Sequence, residues 1–126
     1  RNFGMSAPIW GTCGGLVLLA TDVGTDQPTL GLMDMVVERN AFGRQVESFE
    51  EDLVISGIPD GPFRGIFIRA PKVKKVGSGV NIMCKLNDGS IVAVRQGRFL
   101  ATSFHPELTD DTRIHEYFLN MVFKKG

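Results

Sequence analysis

The chain has 126 residues, which is enough for one domain with a hydrophobic core of its own. Its 14 basic residues balance its 14 acidic residues, so no net charge draws it to nucleic acid or to an anionic membrane. The longest apolar run, Leu16 to Ala20, is far too short to span a bilayer, and two cysteines make no disulfide framework. We therefore expect one domain over residues 1–126 in a reducing, cytoplasmic setting, with neither nucleic acid nor a membrane as partner.

The first predicted elements are a buried strand ending at Ile9-Trp10 and a buried helix over Leu16 to Ala20. The segment between them, Gly11-Thr12-Cys13-Gly14-Gly15, has the G-x-nucleophile-x-G spacing of a nucleophile elbow. Such a turn holds its central residue in strained backbone geometry, and the flanking glycines avoid Cβ clashes. The adjoining helix N-terminus would favour the thiolate of Cys13. An isolated pattern of this kind is equally typical of a glycine-rich loop around a structural cysteine.

The middle of the chain alternates polar loops with short apolar stretches. Ser48 to Ser56 is compatible with a strand or a helix, because its apolar residues follow neither period clearly. The remaining elements predicted here are a loop over residues 21–29, a strand over residues 30–37 followed by Arg39, a loop over residues 57–61, and a strand over residues 65–69 stopped by Pro71.

A β-hairpin is predicted next. Residues 80–86 alternate, which places Val80, Ile82, Cys84 and Leu86 on one face and makes Cys84 a core residue. Asn87-Asp88-Gly89 has the composition of a tight turn into a second strand over residues 91–94.

The C-terminal part is predicted as a strand over residues 99–104 and a closing helix. Thr109 is a suitable N-cap, with acidic residues in the first turn after it. The apolar face of the helix consists of Ile114, Tyr117, Phe118, Met121 and Val122, and His115 is expected at the surface.

The strand over residues 99–104 delivers His105, which is followed by Pro106 and Glu107. A thiol nucleophile needs a base to accept its proton and an anion to orient that base, and His105 and Glu107 are the right residue types. Pro106 restricts the relation between the two side chains. A lone His-Pro-Glu is more often a turn, and Glu107 could instead cap the following helix. Together with Cys13, in the order Cys, His, Glu, the segment predicts a catalytic triad.

The two motifs together resemble a class I glutamine amidotransferase: Gly-Thr-Cys-Gly-Gly at 11–15 and Ser-Phe-His-Pro-Glu-Leu at 103–108. Further stretches, which extend the likeness over essentially the whole chain, resemble the glutaminase subunit of pyridoxal 5'-phosphate synthase (the PdxT family). They are residues 31–34, 37–45, 48–50, 67–71 and 95–97.

The resemblance implies an α/β fold of the flavodoxin-like, three-layer kind and a glutaminase activity. In similar proteins the arginines matching Arg39 and Arg69 contact the bound glutamine, and the amide after the nucleophile, here that of Gly14, donates to the oxyanion. The ammonia would pass to a partner synthase subunit that makes pyridoxal 5'-phosphate. No cofactor is expected on this chain.

The resemblance also implies a further stretch of several tens of residues ahead of the elbow, with the first strands and helices and a second oxyanion donor. Nothing in the sequence matches that loop, so we expect the chain to be the C-terminal part of the family domain. Two alternatives stay open: an amidotransferase of another pathway, such as purine or histidine synthesis, and a truncated subunit that binds the synthase without making ammonia.

Overall fold

A computed structural model describes residues 8–23, 29–38 and 48–123. These residues form nine strands, two α-helices and one 3₁₀ helix. The strands are β1 (Ile9–Thr12), β2 (Ala20–Asp22), β3 (Met33–Glu38), β4 (Ser48–Leu53), β5 (Phe63–Ile68), β6 (Lys72–Val76), β7 (Asn81–Lys85), β8 (Ile91–Gln96) and β9 (Phe99–Thr102). The α-helices are α1 (Gly14–Leu19) and α2 (Arg113–Phe123), and the 3₁₀ helix is Pro106–Leu108.

Seven strands form one sheet in the order β1-β9-β8-β6-β3-β2, with β7 also paired to β8. The β1–β9 and β2–β3 pairs are parallel, and the remaining pairs of this sheet are antiparallel. Strands β4 and β5 form a separate antiparallel pair. Because β1 and β9 are parallel and in register from Ile9–Phe99 to Thr12–Thr102, the residues that follow them emerge at the same edge of the sheet.

The sheet separates two hydrophobic clusters. One contains α1 and residues of β3, and the other contains the β4–β5 pair together with Ile114 and Met121 of α2. Consecutive residues of β9, Leu100 and Ala101, belong to different clusters because neighbouring side chains on a strand point to opposite faces. Elements thus cover both faces of the sheet, and the mixed α/β class expected from the sequence is confirmed.

The stretch after Ser48, which the residues left open between strand and helix and for which the family resemblance favours a strand, forms β4. One local prediction is wrong, and one strand was not predicted. The first helix ends at Leu19, and Ala20 already begins β2, which pairs with β3. Strand β6 was not predicted, because its lysine-rich sequence carries little apolar signal. It nevertheless pairs with β3 and buries Val73.

The alternation predicted for the hairpin fails at one position. Ile82 is 38% exposed while its neighbours Met83 and Cys84 are both buried, at 6% and 3%. The pairing of β7 with β8 shifts register between Ile82 and Cys84 and again between Cys84 and Lys85. Such an irregularity reverses which side chains face the core. Cys84 remains a core residue as predicted, and the turn is confirmed by the amide of Gly89 donating to the carbonyl of Leu86.

The closing helix begins later than predicted. Thr109 Oγ1 accepts a hydrogen bond from the amide of Asp111 and donates one to the carbonyl of Pro106, so it closes the 3₁₀ helix and does not cap α2. Helix α2 begins at Arg113. His115 is not a surface residue, because it is half-buried with its ring edge-on to Trp10, the centroids lying 5.1 Å apart.

No helix in the described part of the chain is long and apolar enough to cross a membrane. Within residues 8–23, 29–38 and 48–123, no three His, Cys, Asp or Glu side chains are grouped so that they could hold a metal ion.

Candidate active site

Cys13 occupies the tip of the turn between β1 and α1 with φ of 48° and ψ of −106°. Positive φ is costly for a residue with a side chain, and such strain is typical of functional sites. The amide of Cys13 donates to the carbonyl of Thr102 at 2.9 Å, which fastens the turn to the end of β9. The strained strand–helix turn predicted from the glycine spacing is therefore present.

The two flanking glycines are not equivalent. A Cβ on Gly11 would lie 2.6 Å from both the carbonyl carbon and the carbonyl oxygen of Gly15, which are backbone atoms of the following helix. A Cβ on Gly15 would meet nothing within 4 Å. The prediction that both glycines avoid a clash is thus correct for Gly11 and wrong for Gly15.

Three side chains form a continuous chain of polar contacts at the end of β1 and β9. Cys13 Sγ lies 3.0 Å from His105 Nε2, and His105 Nδ1 lies 2.8 Å from Glu107 Oε2. Cys13 Sγ also lies 3.1 Å from the carbonyl oxygen of Ser103. With Nδ1 protonated and donating to the carboxylate, Nε2 is an acceptor that faces the thiol. The structure brings together the three residues that the sequence predicted as a triad.

The imidazole is also positioned from the backbone. The amide of His105 donates to the carbonyl of Ile66 on β5 at 2.8 Å. Phe104, the residue before it, is fully buried against Phe63 and Phe67. These contacts attach the histidine to the β4–β5 pair as well as to the main sheet.

The electrostatics of the site differ from the sequence-based expectation. Burial, and to a smaller extent the nearby charge of Glu107, raise the pKa of the Cys13 thiol to about 11. The thiolate expected from the helix N-terminus is therefore not the resting form. Among the causes of the raised pKa of Cys13, burial is the largest.

Glu107 carries the negative charge of the site. Partial burial acts to raise the pKa of its carboxyl group. The hydrogen bond from His105, a backbone hydrogen bond and the charges of His105 and His115 together act in the other direction and lower it overall. Glu107 is thus ionised at neutral pH and can stabilise a protonated His105.

Alkylation of Cys13 by iodoacetamide is expected to keep rising with pH up to about 11, because burial holds the thiol protonated to that pH. In Glu107→Gln the inflection should move to lower pH, since a charge that raises the pKa is lost. Mass spectrometry of short pulses in a Cys84→Ala background reports on Cys13 alone.

The alkylation pulses must be short because the folded protein loses stability at high pH. Both thiols have folded-state pKa values of about 11, above their ordinary value of 9.0, so folding favours their protonated forms. Their contribution to the free energy of unfolding is fully present below about pH 9 and is lost as pH rises towards 11. An inflection for Cys13 at or below pH 9 in the folded protein would contradict the buried, protonated thiol.

The remaining predicted site residues are placed as follows. Gly14 is exposed and is the first residue of α1, so its amide is not used by a helical hydrogen bond. Arg69 is exposed and follows β5 with φ of 47°, three residues after the carbonyl that accepts from His105. Arg39 lies outside the described residues.

Two residues that sequence reasoning missed support the site. Trp10 Nε1 donates to Thr102 Oγ1 at 3.2 Å, which links the strand before the nucleophile to the strand before the histidine. The only tryptophan of the chain, next to the elbow, was the available signal. Arg113 donates to the carbonyls of Pro59, Gly61 and Pro62, and it also pairs with Asp111. It fixes the loop before β5 to the start of α2, and no sequence pattern indicated this.

Comparison with known proteins agrees with this geometry. The family model described as the SNO glutamine amidotransferase family matches residues 3–124. The chain belongs to the SNO glutamine amidotransferase family. Among curated relatives, it is 61% identical over 116 residues to pyridoxal 5'-phosphate synthase subunit PdxT of Geobacillus kaustophilus. It is 54% identical over 118 residues to the subunit of the same name from Herpetosiphon aurantiacus.

A solved structure described as a glutamine amidotransferase superposes on the chain with a TM-score of 0.85 at 52% identity. The match covers 91% of this chain and 60% of that one. The match to the Geobacillus kaustophilus subunit covers 91% of this chain and 58% of that subunit. The match to the Herpetosiphon aurantiacus subunit covers 90% of this chain and 62% of that subunit. The resemblance to the PdxT family and the class I amidotransferase-like fold are thereby confirmed, and the chain spans about three-fifths of the relatives it matches.

Proposed function

We propose that this chain carries the glutaminase chemistry of a pyridoxal 5'-phosphate synthase, hydrolysing the side-chain amide of glutamine. The observation that carries the proposal is the alignment of Cys13 Sγ, His105 Nε2, His105 Nδ1 and Glu107 Oε2, with separations of 3.0 and 2.8 Å. Nucleophile, base and orienting anion lie within hydrogen-bond reach of one another, as nucleophilic catalysis requires. Membership of the amidotransferase family supports the same reaction.

Because the resting thiol of Cys13 is protonated, the first step must include the transfer of its proton. As Cys13 Sγ attacks the amide carbon of glutamine, its proton passes to His105 Nε2, and Glu107 stabilises the imidazolium. The tetrahedral oxyanion accepts a hydrogen bond from the amide of Gly14. His105 then gives the proton to the departing nitrogen, which leaves as ammonia, and a glutamyl thioester remains on Cys13.

Water completes the cycle. His105 accepts a proton from water as the water oxygen attacks the thioester carbon. The C–S bond then breaks, His105 returns the proton to the Cys13 sulfur, and glutamate is released. A single oxyanion donor is typically worth ~10²–10³ in rate. A second donor, which the family resemblance assigns to a loop not matched in this sequence, would add a factor of similar size.

Arg69, together with Arg39, is proposed to bind the α-carboxylate of glutamine. A guanidinium offers bidentate geometry for a carboxylate, and Arg69 follows the strand whose Ile66 carbonyl accepts from His105. The ammonia is proposed to pass to a PdxS-type synthase subunit in the cytoplasm, where the free Cys13 stays reduced.

The test is glutamate release from L-glutamine, measured with and without the synthase subunit. We expect glutamate release to increase when the synthase is present. In Arg69→Ala we expect the KM for glutamine to rise by about tenfold or more, with a smaller change in kcat, because a charge-assisted contact to the bound substrate is lost. Arg64→Ala, on the strand that precedes Arg69, is the matched control and should leave KM unchanged. Arg64 pairs with Glu50 and Asp52 at the protein surface.

The outcome also separates the alternatives. Binding to the synthase without any glutamate release would favour the non-catalytic subunit. Activation by a synthase of purine or histidine synthesis would indicate another pathway. An unchanged KM in Arg69→Ala would remove this residue from the glutamine site.

A further inference from the structure

A second concave region lies away from the triad. It has a volume of about 530 Å³ and is open to solvent. Its lining includes the family-like segment at Arg95 and Gly97, which the proposed reaction does not use. We call this region the Arg95 groove; it is lined by Ser56, Gly57, Asn81, Ile82, Met83, Arg95, Gly97 and Tyr117.

The groove is at the opposite end of the sheet from the triad. Arg95 pairs with Leu100 near the start of β9, whereas the nucleophile and the histidine lie beyond the other end of that strand. At ~3.3 Å per residue, Leu100 and Ser103 are separated by about 10 Å along the strand. A ligand in the groove would therefore not occupy the position of glutamine.

Arg95 is held rigidly by neutral groups. Its Nη1 donates to the hydroxyl oxygen of Tyr117 at 2.7 Å, and its Nε donates to the carbonyl of Gly97 at 3.0 Å. Its guanidinium carbon also lies 5.5 Å from the centroid of the Tyr117 ring. None of the ion pairs found among residues 8–23, 29–38 and 48–123 involves Arg95. The cation is thus oriented without being neutralised by those parts of the chain.

The groups around it are hydrogen-bond donors with spare capacity. The hydroxyl of Tyr117 accepts from Arg95, so its own hydrogen remains available. Asn81, which pairs with Arg95 across β7 and β8, contributes a side-chain amide to the same lining, and Ser56 contributes a hydroxyl. Among the lining residues that the structure describes, one carries a positive charge and none carries a carboxylate.

We propose that the Arg95 groove binds a small oxyanion, a phosphate or carboxylate group, between the guanidinium of Arg95, the hydroxyl of Tyr117 and the amide of Asn81. A preoriented guanidinium with adjacent neutral donors matches the lone pairs of such a group and supplies charge-assisted hydrogen bonds. Because the groove is open to solvent, the effective dielectric is high and the binding is weak, with a dissociation constant on the order of 1 mM.

The experiment is a titration of the ¹⁵N-labelled chain, followed by amide chemical shifts, with inorganic phosphate in one arm and sodium acetate in the other. Both run at constant ionic strength, with sodium chloride as the reference. We expect saturable shifts centred on Gly57, Asn81 and Gly97, with the amides around Cys13 unchanged. Stronger saturation in the phosphate arm identifies a phosphate site, and stronger saturation in the acetate arm identifies a carboxylate site.

Arg95→Gln is expected to weaken binding at least ~10-fold, because the neutral amide keeps a donor but loses the charge. Arg98→Gln, which removes a positive charge nearby in sequence but outside the groove lining, is the matched control and should bind as the parent does. Circular dichroism checks the fold of each variant, and Asn81→Ala provides a second test should Arg95→Gln not fold. The proposal would be overturned if phosphate and acetate shifted the amides of Arg95→Gln as strongly as those of the parent, or if sodium chloride alone gave the same shifts. Shifts centred on residues outside the groove would also overturn it.

Discussion

Replacing Cys13 with alanine is expected to reduce glutamate release by at least ~10⁴-fold while leaving the protein folded, because the substitution removes the atom that forms the thioester. Alanine keeps the Cβ and can adopt the backbone geometry that cysteine adopts at this position. The contacts that hold the turn, from the amide of Cys13 to Thr102 and from Trp10 to Thr102, do not involve the sulfur. The loss should therefore appear in kcat and not in thermal stability.

The second cysteine provides the matched control. Cys84 has the same raised pKa of about 11, but it is 3% exposed within the core, and its thiol lies 3.8 Å from the carbonyl oxygen of Lys85. Cys84→Ala should retain activity at a modest cost in stability, since only one sulfur atom is removed from the core. An electrophilic glutamine analogue should add its mass to Cys13 in the parent and in Cys84→Ala, but not in Cys13→Ala. Glutamate release that survives in Cys13→Ala would exclude the covalent mechanism.

The triad could be predicted from the sequence because each of its residues has a chemical role that few residue types fill. Cys13 and His105 are 92 positions apart, and the parallel pairing of β1 with β9 brings the ends of both strands to one edge. A glycine-flanked turn at the end of one strand and a His-Pro-Glu at the end of another are local signals. The family resemblance supplied the pairing that joins them.

The ionisation of the site could not be predicted in this way. The sequence places Cys13 before a helix, which favours the thiolate, but the pKa depends on how much water the folded chain excludes from the sulfur. In the structure burial dominates, and the charge of Glu107 adds to it. The same anion that orients His105 therefore disfavours the thiolate before the proton has moved.

The sequence pattern also could not predict the local irregularities of the sheet. The register shifts in β7 expose Ile82 and bury Met83, although both are apolar and either would satisfy the core. The contacts of Arg113 with three carbonyls depend on the path of a loop that no periodicity describes. Such features arise from tertiary packing, which overrides local preference.

Gly11→Ala is expected to lower the free energy of unfolding by about 3 kcal/mol, because the new methyl group would meet backbone atoms that cannot rotate away. The Cβ would lie 2.6 Å from the carbonyl carbon and oxygen of Gly15, and Gly11 is buried in β1. Relief of the clash requires α1 to move away from the strand, and this displaces the Cys13 sulfur from His105. A displacement of ~1 Å can cost on the order of 10² in rate, so activity should fall further than stability alone explains.

Gly15→Ala separates this clash from a general effect of adding a methyl group to the elbow. Its Cβ would meet nothing within 4 Å, and the residue lies inside α1, where alanine is favoured over glycine by about 0.5–1 kcal/mol. Urea unfolding should therefore show Gly15→Ala to be as stable as the parent or slightly more so, and Gly11→Ala to be much less stable. If the two variants were destabilised equally, the close approach of β1 to α1 would not be what holds the nucleophile in its strained position, and the hydrogen bond from the Cys13 amide to Thr102 would have to provide that restraint.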